Sequence, residues 1–184
     1  QPGVRRHAVT AFDVTEPAAA ITVVGAEATI VEPGAFLPRA LTVVAAELLG
    51  TGQRALDGAV EYAKQRYQFG RAIGSFQAIK HMLADRYVQL DAARLLVDAA
   101  VTAIDDGRPD ALAAVRTAVV AATEAAQAAV GAAPQTHGGI GFTWEHPSHV
   151  FLKRVRAGRC SVRPLRNSTR WPTSTPWSPA NGIG

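Results

Sequence analysis

The sequence predicts a mainly α-helical protein, an antiparallel bundle of about four helices preceded by a short β segment and followed by an unstructured tail. Three observations predict it. Of the 184 residues, 48% are hydrophobic and many of these are alanine, the best helix former and a residue that lets helices pack closely. Apolar residues recur at three- and four-residue spacing through most of the chain. Residues 1–35 depart from that period, with short β-branched runs in its place.

Those first residues contain "HAVTAF", "AAITVVGA" and "ATIVEPG", separated by Asp13, Pro17, Gly25 and Pro33, and read as two or three strands. So few strands make a marginal sheet, so residues 1–35 are expected to be the end of a larger β domain. From Leu37, residues Leu41, Ala45, Leu48, Gly52, Leu56, Ala59 and Ala63 share one helical face, predicting a helix over 38–66. Gly50 and Gly52 each weaken a helix by about 1 kcal/mol relative to alanine, which points to close helix contacts at both. "FGRAIGS" breaks the pattern. Phe76, Ile79, Leu83, Tyr87, Leu90, Val97, Val101 and Ile104 then predict a helix over 75–105, with Ser75 as its N-cap.

"DDGRPD" forms the next turn, and Asp110 is placed to cap a third helix carrying Leu112, Val115, Val119, Ala122, Ala126 and Val130. After the glycine-rich "QTHGGIGF", Pro147 suits the first turn of a short fourth helix with a basic end. Beyond Arg159 periodicity is lost in a segment rich in Pro, Ser, Thr and Trp, predicting disorder over 159–184. The organisation is therefore 1–35 β remnant, 36–158 helical bundle, and 159–184 tail.

Charge and cysteine content narrow the function classes. The net charge of +4 owes much to Arg163, Arg166 and Arg170, because without residues 160–184 the chain holds 16 basic and 15 acidic residues. A neutral body with a basic tail argues against nucleic-acid binding, which needs basic side chains on one folded face. Cys160 is the only cysteine, so no intramolecular disulfide can form and no oxidising compartment is implied. With no long apolar run and no leader-like start, the expected location is cytoplasmic, with no membrane contact.

Four constellations could carry chemistry. At "RYQFGRAIGSFQ", Arg66 closes one helix and Gln77 opens the next; a guanidinium and an amide presented together suit a phosphate, and an ordinary helical hairpin with a solvated arginine has the same pattern. At "QTHGGIGF", Gly138, Gly139 and Gly141 let backbone amides converge on an anion, and a plain glycine C-cap is equally compatible. His137, His146 and His149 are close in sequence, but zinc needs three or four placed ligands and only Glu145 is nearby, so no metal site is expected. The basic run "LKRVRAGR" reads as a solvated helix end or a subunit contact.

Order and wording carry more than any single motif. "YAKQRYQFGRAIGSFQAIKHMLAD", followed by "QTHGGIGFTWEHPSHVFLKR", resembles the C-terminal half of the acyl-CoA dehydrogenase family, from about Ala35 to Arg156. The resemblance implies a flavoprotein in which FAD takes a hydride from the β-carbon of an acyl-CoA thioester while a glutamate removes the α-proton. It implies FAD held between subunits of a homo- or hetero-oligomer. By the match, Arg66 meets the FAD pyrophosphate, Gln77 also reaches the cofactor, and Gln135, Thr136, His137, Gly138 and Gly139 hold its ADP portion.

The departures bear on activity. The family's N-terminal helical domain and most of its β domain are absent from the sequence, and neither family position for the base carries a glutamate: one falls on Ala40, the other on Val162. Glu47 and Glu61 lie elsewhere on the first helix. No catalytic residue is therefore assigned, and the chain is expected to be inactive alone. Two origins fit: a non-catalytic assembly or cofactor-binding subunit of a heteromeric enzyme, or a reading-frame shift near Arg159, which family-like sequence in another frame of the encoding DNA would reveal.

Overall fold

The computed structural model describes residues 3–27, 29 and 33–167. Two strands come first, β1 (Val4–Val9) and β2 (Ala18–Val23). They pair antiparallel from Val4 opposite Val23 to Val9 opposite Ala18, and almost every side chain on the ribbon is exposed. The third expected run, "ATIVEPG", lies largely outside the described residues.

Four helices follow. They are α1 (Pro33–Gln65), α2 (Gln77–Asp105), α3 (Ala111–His137) and α4 (Ser148–Asn167). α1 starts five residues before the predicted boundary, with Pro33 at its first position, where a missing amide is tolerated, and Pro38, the predicted start, inside the helix. The predicted face of α1 is the buried one: Leu41, Ala45, Leu48, Leu56, Ala59 and Ala63 all lie in the core. α3 faces them with Val115, Val119, Ala122, Ala126, Ala129 and Val130, and α2 adds Leu83, Leu90 and Val97.

Alanine sets the spacing. A Cβ at Gly52 would lie 2.9 Å from Ala126 Cα and 3.0 Å from Leu90 Cδ2, so α1, α2 and α3 meet there with room only for hydrogen. Gly50, also expected at a close contact, has nothing within 4 Å of such a Cβ; it faces outward and its helical penalty is not repaid by packing.

The chain reverses between α1 and α2 through a two-residue hairpin. β3 (Tyr67–Gln68) pairs with β4 (Arg71–Ala72), and Phe69 and Gly70 between them both take positive φ, at 52° and 77°, the conformation such a tight turn requires. A 3-10 turn, Ile73–Ser75, leads into α2. The N-cap of α2 is Phe76, not Ser75. Ser75 instead donates its hydroxyl to the Ala72 carbonyl at 2.7 Å, because the 3-10 turn places it too early. Asp110 does occupy the N-cap position of α3 but makes no cap bond; its carboxylate is taken by Arg108, at 2.9 and 2.6 Å.

α4 corrects the predicted tail. It continues nine residues past Gly158 to Asn167, because Val155 and Val162, seven residues apart and both 1% exposed, lie on one face against the bundle. Gly158 meets Leu48 from the same face, its hypothetical Cβ only 2.8 Å from Leu48 Cδ2. Residues 168–184, the rest of the expected disordered segment, lie outside the described residues. Arg154 of α4 ties the β segment to the bundle: it reaches Glu47 of α1 at 2.6 Å, and Asp13 and Glu16, between β1 and β2, at 3.4 Å each.

Candidate functional site

The helices run up, down, up, down, so the C-terminal ends of α1 and α3 and the N-terminal ends of α2 and α4 lie at one end of the bundle. Tyr62 fixes this: its ring lies 4.6 Å from that of His137, joining the last turns of α1 and α3. The two sequence motifs, about seventy residues apart, are therefore brought to the same end.

Arg66 follows α1 directly. Its amide closes the helix on the Tyr62 carbonyl at 2.9 Å, and its carbonyl accepts from Ile73 at 2.8 Å, so its backbone is fixed while its side chain is exposed. Among the described residues no ion pair involves Arg66. Arg71, by contrast, is held with its guanidinium 4.0 Å from the centre of the Phe76 ring. Gln77 is exposed in the first turn of α2, which has no side-chain cap, so free amides and the positive end of a long helix stand beside it.

The second motif ends α3. Gln135 is exposed, whereas Thr136 is buried and its hydroxyl is spent on the Ala132 carbonyl at 3.0 Å. His137 is half-buried and its Nδ1 lies 2.7 Å from the Ala133 carbonyl. Gly138 has φ 66°, and its amide closes the helix on the Gln135 carbonyl. Gly138 and Gly139 are open, with nothing near a Cβ position, while Gly141 is packed against Pro134, where a Cβ would lie 2.6 Å from the Pro134 carbonyl oxygen. The loop is thus anchored at Gly141 and free at Gly138 and Gly139. Thr136, expected to touch the cofactor, instead faces inward and supports the loop; it offers no free hydroxyl.

The histidines lie around the next corner. His146 stacks on His137 at 4.1 Å, and Trp144 meets His149 edge-on at 4.8 Å with Lys153 4.9 Å over its ring. Each histidine Nδ1 already has a protein partner, and among the described residues no group of three His, Cys, Asp or Glu side chains converges as metal ligands. Burial, then repulsion from His137 and His149, holds the pKa of His146 below 6.5. Sequence reasoning gave His146 and Ser148 no part in this site; the only signal was His146 following His137 across a glycine-rich turn.

At the two family positions for a base, Ala40 is half-buried on α1, and Val162 is a core residue packed with Leu41, Ala45, Val115 and Val119. Glu47 is bound to Arg154, and Glu61 accepts a short hydrogen bond from Gln65. Neither glutamate is a free base.

An antiparallel bundle with an exposed guanidinium, an uncapped helix start and an open glycine loop at one end defines a helical domain suited to an anionic group. Comparison with known proteins makes the class specific. A family model described as acyl-CoA dehydrogenase, C-terminal domain, matches residues 36–161. The chain is 41% identical over 146 residues to acyl-CoA dehydrogenase IpdE2 of Mycobacterium tuberculosis, covering 79% of this chain and 44% of that protein. It is 40% identical over 149 residues to acyl-CoA dehydrogenase FadE34 of the same organism, covering 79% of this chain and 21% of that one.

Solved structures agree. Butyryl-CoA dehydrogenase of Megasphaera elsdenii superposes with a TM-score of 0.78 at 27% identity, over 86% of this chain and 44% of that one. The ChsE4-ChsE5 complex of Mycobacterium tuberculosis gives 0.77 at 26% identity, over 92% and 50%. The chain belongs to the acyl-CoA dehydrogenase family and comprises its C-terminal helical domain. It spans less than half the length of IpdE2 and of FadE34.

Proposed function

We propose that this chain is part of an FAD-dependent acyl-CoA dehydrogenase, an enzyme of acyl-CoA α,β-dehydrogenation, and that it contributes cofactor contacts without contributing the base. The observation that carries this is the exposed Arg66, with no ion pair among the described residues, at the same end of the bundle as the open Gly138–Gly139 loop. The residues present fit the group: a guanidinium pairs with a pyrophosphate through two charge-assisted hydrogen bonds, and free amides at a helix start favour the same charge.

Arg66 and the start of α2 would hold the pyrophosphate, Gln77 would donate its amide alongside, and Gln135, His137, Gly138 and Gly139 would line the ADP portion, with Thr136 supporting them from inside. When bound, FAD supplies the acceptor for a hydride from the acyl β-carbon. The β1–β2 ribbon fits the end of the family's middle β domain, and the exposed apolar residues of the bundle fit burial against other subunits. A cytoplasmic location accords with the family, and no described helix is long and apolar enough to cross a membrane.

A second reading makes the chain a non-catalytic assembly or cofactor-binding subunit of a heteromeric acyl-CoA dehydrogenase. Val162 favours it. Its 1% exposure within a regular helix puts a core side chain at the second base position, which a frame shift starting at Arg159 gives no reason to expect.

The test is absorbance of the purified chain between about 350 and 500 nm with added FAD, alongside thermal shift, since a ligand that binds only the native state stabilises it. A bound flavin spectrum and a raised melting temperature are expected. Failure to bind, both alone and mixed with a full-length dehydrogenase subunit, would overturn the cofactor role. Co-purification with such a subunit, with activity lost when its own base is removed, would select the second reading.

A further inference from the structure

Three rings stack in series at the cofactor end: Tyr62 of α1 on His137, at 4.6 Å and 34°, and His137 on His146, at 4.1 Å and 49°. His137 is the last residue of α3, immediately before the open Gly138–Gly139 pair. What the rings donate and accept fixes their protonation. The Ala133 carbonyl can only accept, so His137 Nδ1, 2.7 Å away, carries a proton and donates. His149 Nδ1 likewise donates to the His146 carbonyl at 2.8 Å.

His146 is the reverse case. The Ser148 amide donates to its Nδ1 at 3.2 Å, and the Ser148 hydroxyl lies 2.7 Å from the same atom. An Nδ1 that accepts from an amide bears no proton, so this arrangement requires neutral imidazole. Ser148 is 1% exposed and is the first residue of α4. Neutral His146 therefore joins the start of α4 to the ring that ends α3. A protonated Nδ1 could still donate to the hydroxyl, but the amide would lose its acceptor and the ring would have to turn.

We propose that Ser148, His146 and His137 form a proton-sensitive support for the Gly138–Gly139 loop, holding it in its FAD-binding shape while His146 is neutral and releasing it when His146 is protonated. His146 and Ser148 are positioning residues, acting through His137. The proposal rests on the cofactor role of that loop. The groups facing His146 are His137 from α3, with Tyr62 of α1 behind it, and His149 from α4; Lys153, one turn further along α4, sits over Trp144, and Glu145 is its own neighbour.

The sign follows from the surroundings. Burial comes first, then electrostatic repulsion from His137 and His149, and both hold the His146 pKa below 6.5. The neutral, supporting form is complete above 6.5, and it is lost only as pH falls through the lower folded value. Each unit by which bound FAD lowers the His146 midpoint further corresponds to about a tenfold loss of affinity across the transition.

The test uses the full chain without cofactor. Backbone and histidine-ring NMR signals are followed from about pH 8 to about pH 5, a span that brackets histidine titration. The expected result is a His146 midpoint below 6.5, with the Gly138 and Gly139 amide signals moving on the same midpoint. His146→Gln restores an acceptor that cannot be protonated, and should abolish that movement in a folded chain. His146→Asn puts an amide oxygen, which cannot be protonated, where Nδ1 accepts from the Ser148 amide, and should likewise leave the glycine amides still; it carries the test if the glutamine variant does not fold.

A His146 midpoint at or above 6.5, glycine amides that do not follow it, or movement that persists in His146→Gln would overturn the proposal. In parallel, FAD affinity of the wild-type chain should fall severalfold between about pH 8 and about pH 5.5 and stay level in His146→Gln. FAD binding absent at every pH overturns the cofactor reading instead, and the NMR titration tells the two failures apart.

Discussion

Two arginines in this chain do opposite things. Arg154 is surrounded by Glu47, Asp13 and Glu16 and also donates to the Thr15 hydroxyl at 3.2 Å, so it serves the fold. Arg66 has a fixed backbone and no carboxylate among the described residues. Arg66→Ala should leave the melting temperature of the chain unchanged and weaken FAD binding by about 1.5–3 kcal/mol, or about ten- to a hundredfold, measured by flavin absorbance titration. Arg154→Ala should lower stability by about 1–3 kcal/mol in denaturant unfolding, because it leaves Asp13 buried without its counter-charge. Asp13 gives this a pH signature. Burial raises its pKa, but the Thr15 hydroxyl and amide and then Arg154 outweigh burial, leaving the carboxyl below 3.8. Its contribution to stability is present above 3.8 and is lost as pH falls through the lower folded value; Asp13→Asn should flatten that part of the acid unfolding curve.

Among the elements, the long helices were readable from the sequence and their ends were not. The face of α1 from Leu41 to Ala63 is set by period alone, and every apolar residue named on it is buried. Caps depend on what the preceding turn does. Ser75 has the right chemistry for a cap, but a 3-10 turn takes its hydroxyl, and Asp110 is diverted by Arg108 two residues earlier. α4 beyond Arg159 is obscured by its Pro, Ser and Arg content, although Val162 continues the face of Val155 at a seven-residue spacing; its contacts with α1 and α3 hold the extension. Gly50 and Gly52 look alike in sequence and differ in space. Gly52→Ala should destabilise by about 1–3 kcal/mol, since its Cβ meets the Ala126 backbone. Gly50→Ala, in open space, should stabilise by up to about 1 kcal/mol. Thermal unfolding of the two variants checks both signs.

For the molecule as a whole, the motifs named residues that the fold gathers at one end of the bundle, but not how that end is braced. Arg66 and Gly138 are far apart in sequence, and their placement at one end of the bundle depends on α1 and α3 running side by side in the same direction. The Tyr62–His137–His146 stack and the Ser148 contact were invisible in the sequence because they form across a corner between helices. The parallel pairing has a mechanical side. α1 and α3 touch at Gly52 and Ala126, and Tyr62 and His137 lie ten and eleven residues further along, about 15 Å at 1.5 Å per residue. The two helices are joined again at that distance by the Tyr62–His137 ring contact. A wedge of a few tenths of an ångström at Gly52 would part α1 and α3 along their shared length, so a single methyl group deep in the bundle should loosen the ring stack without touching it.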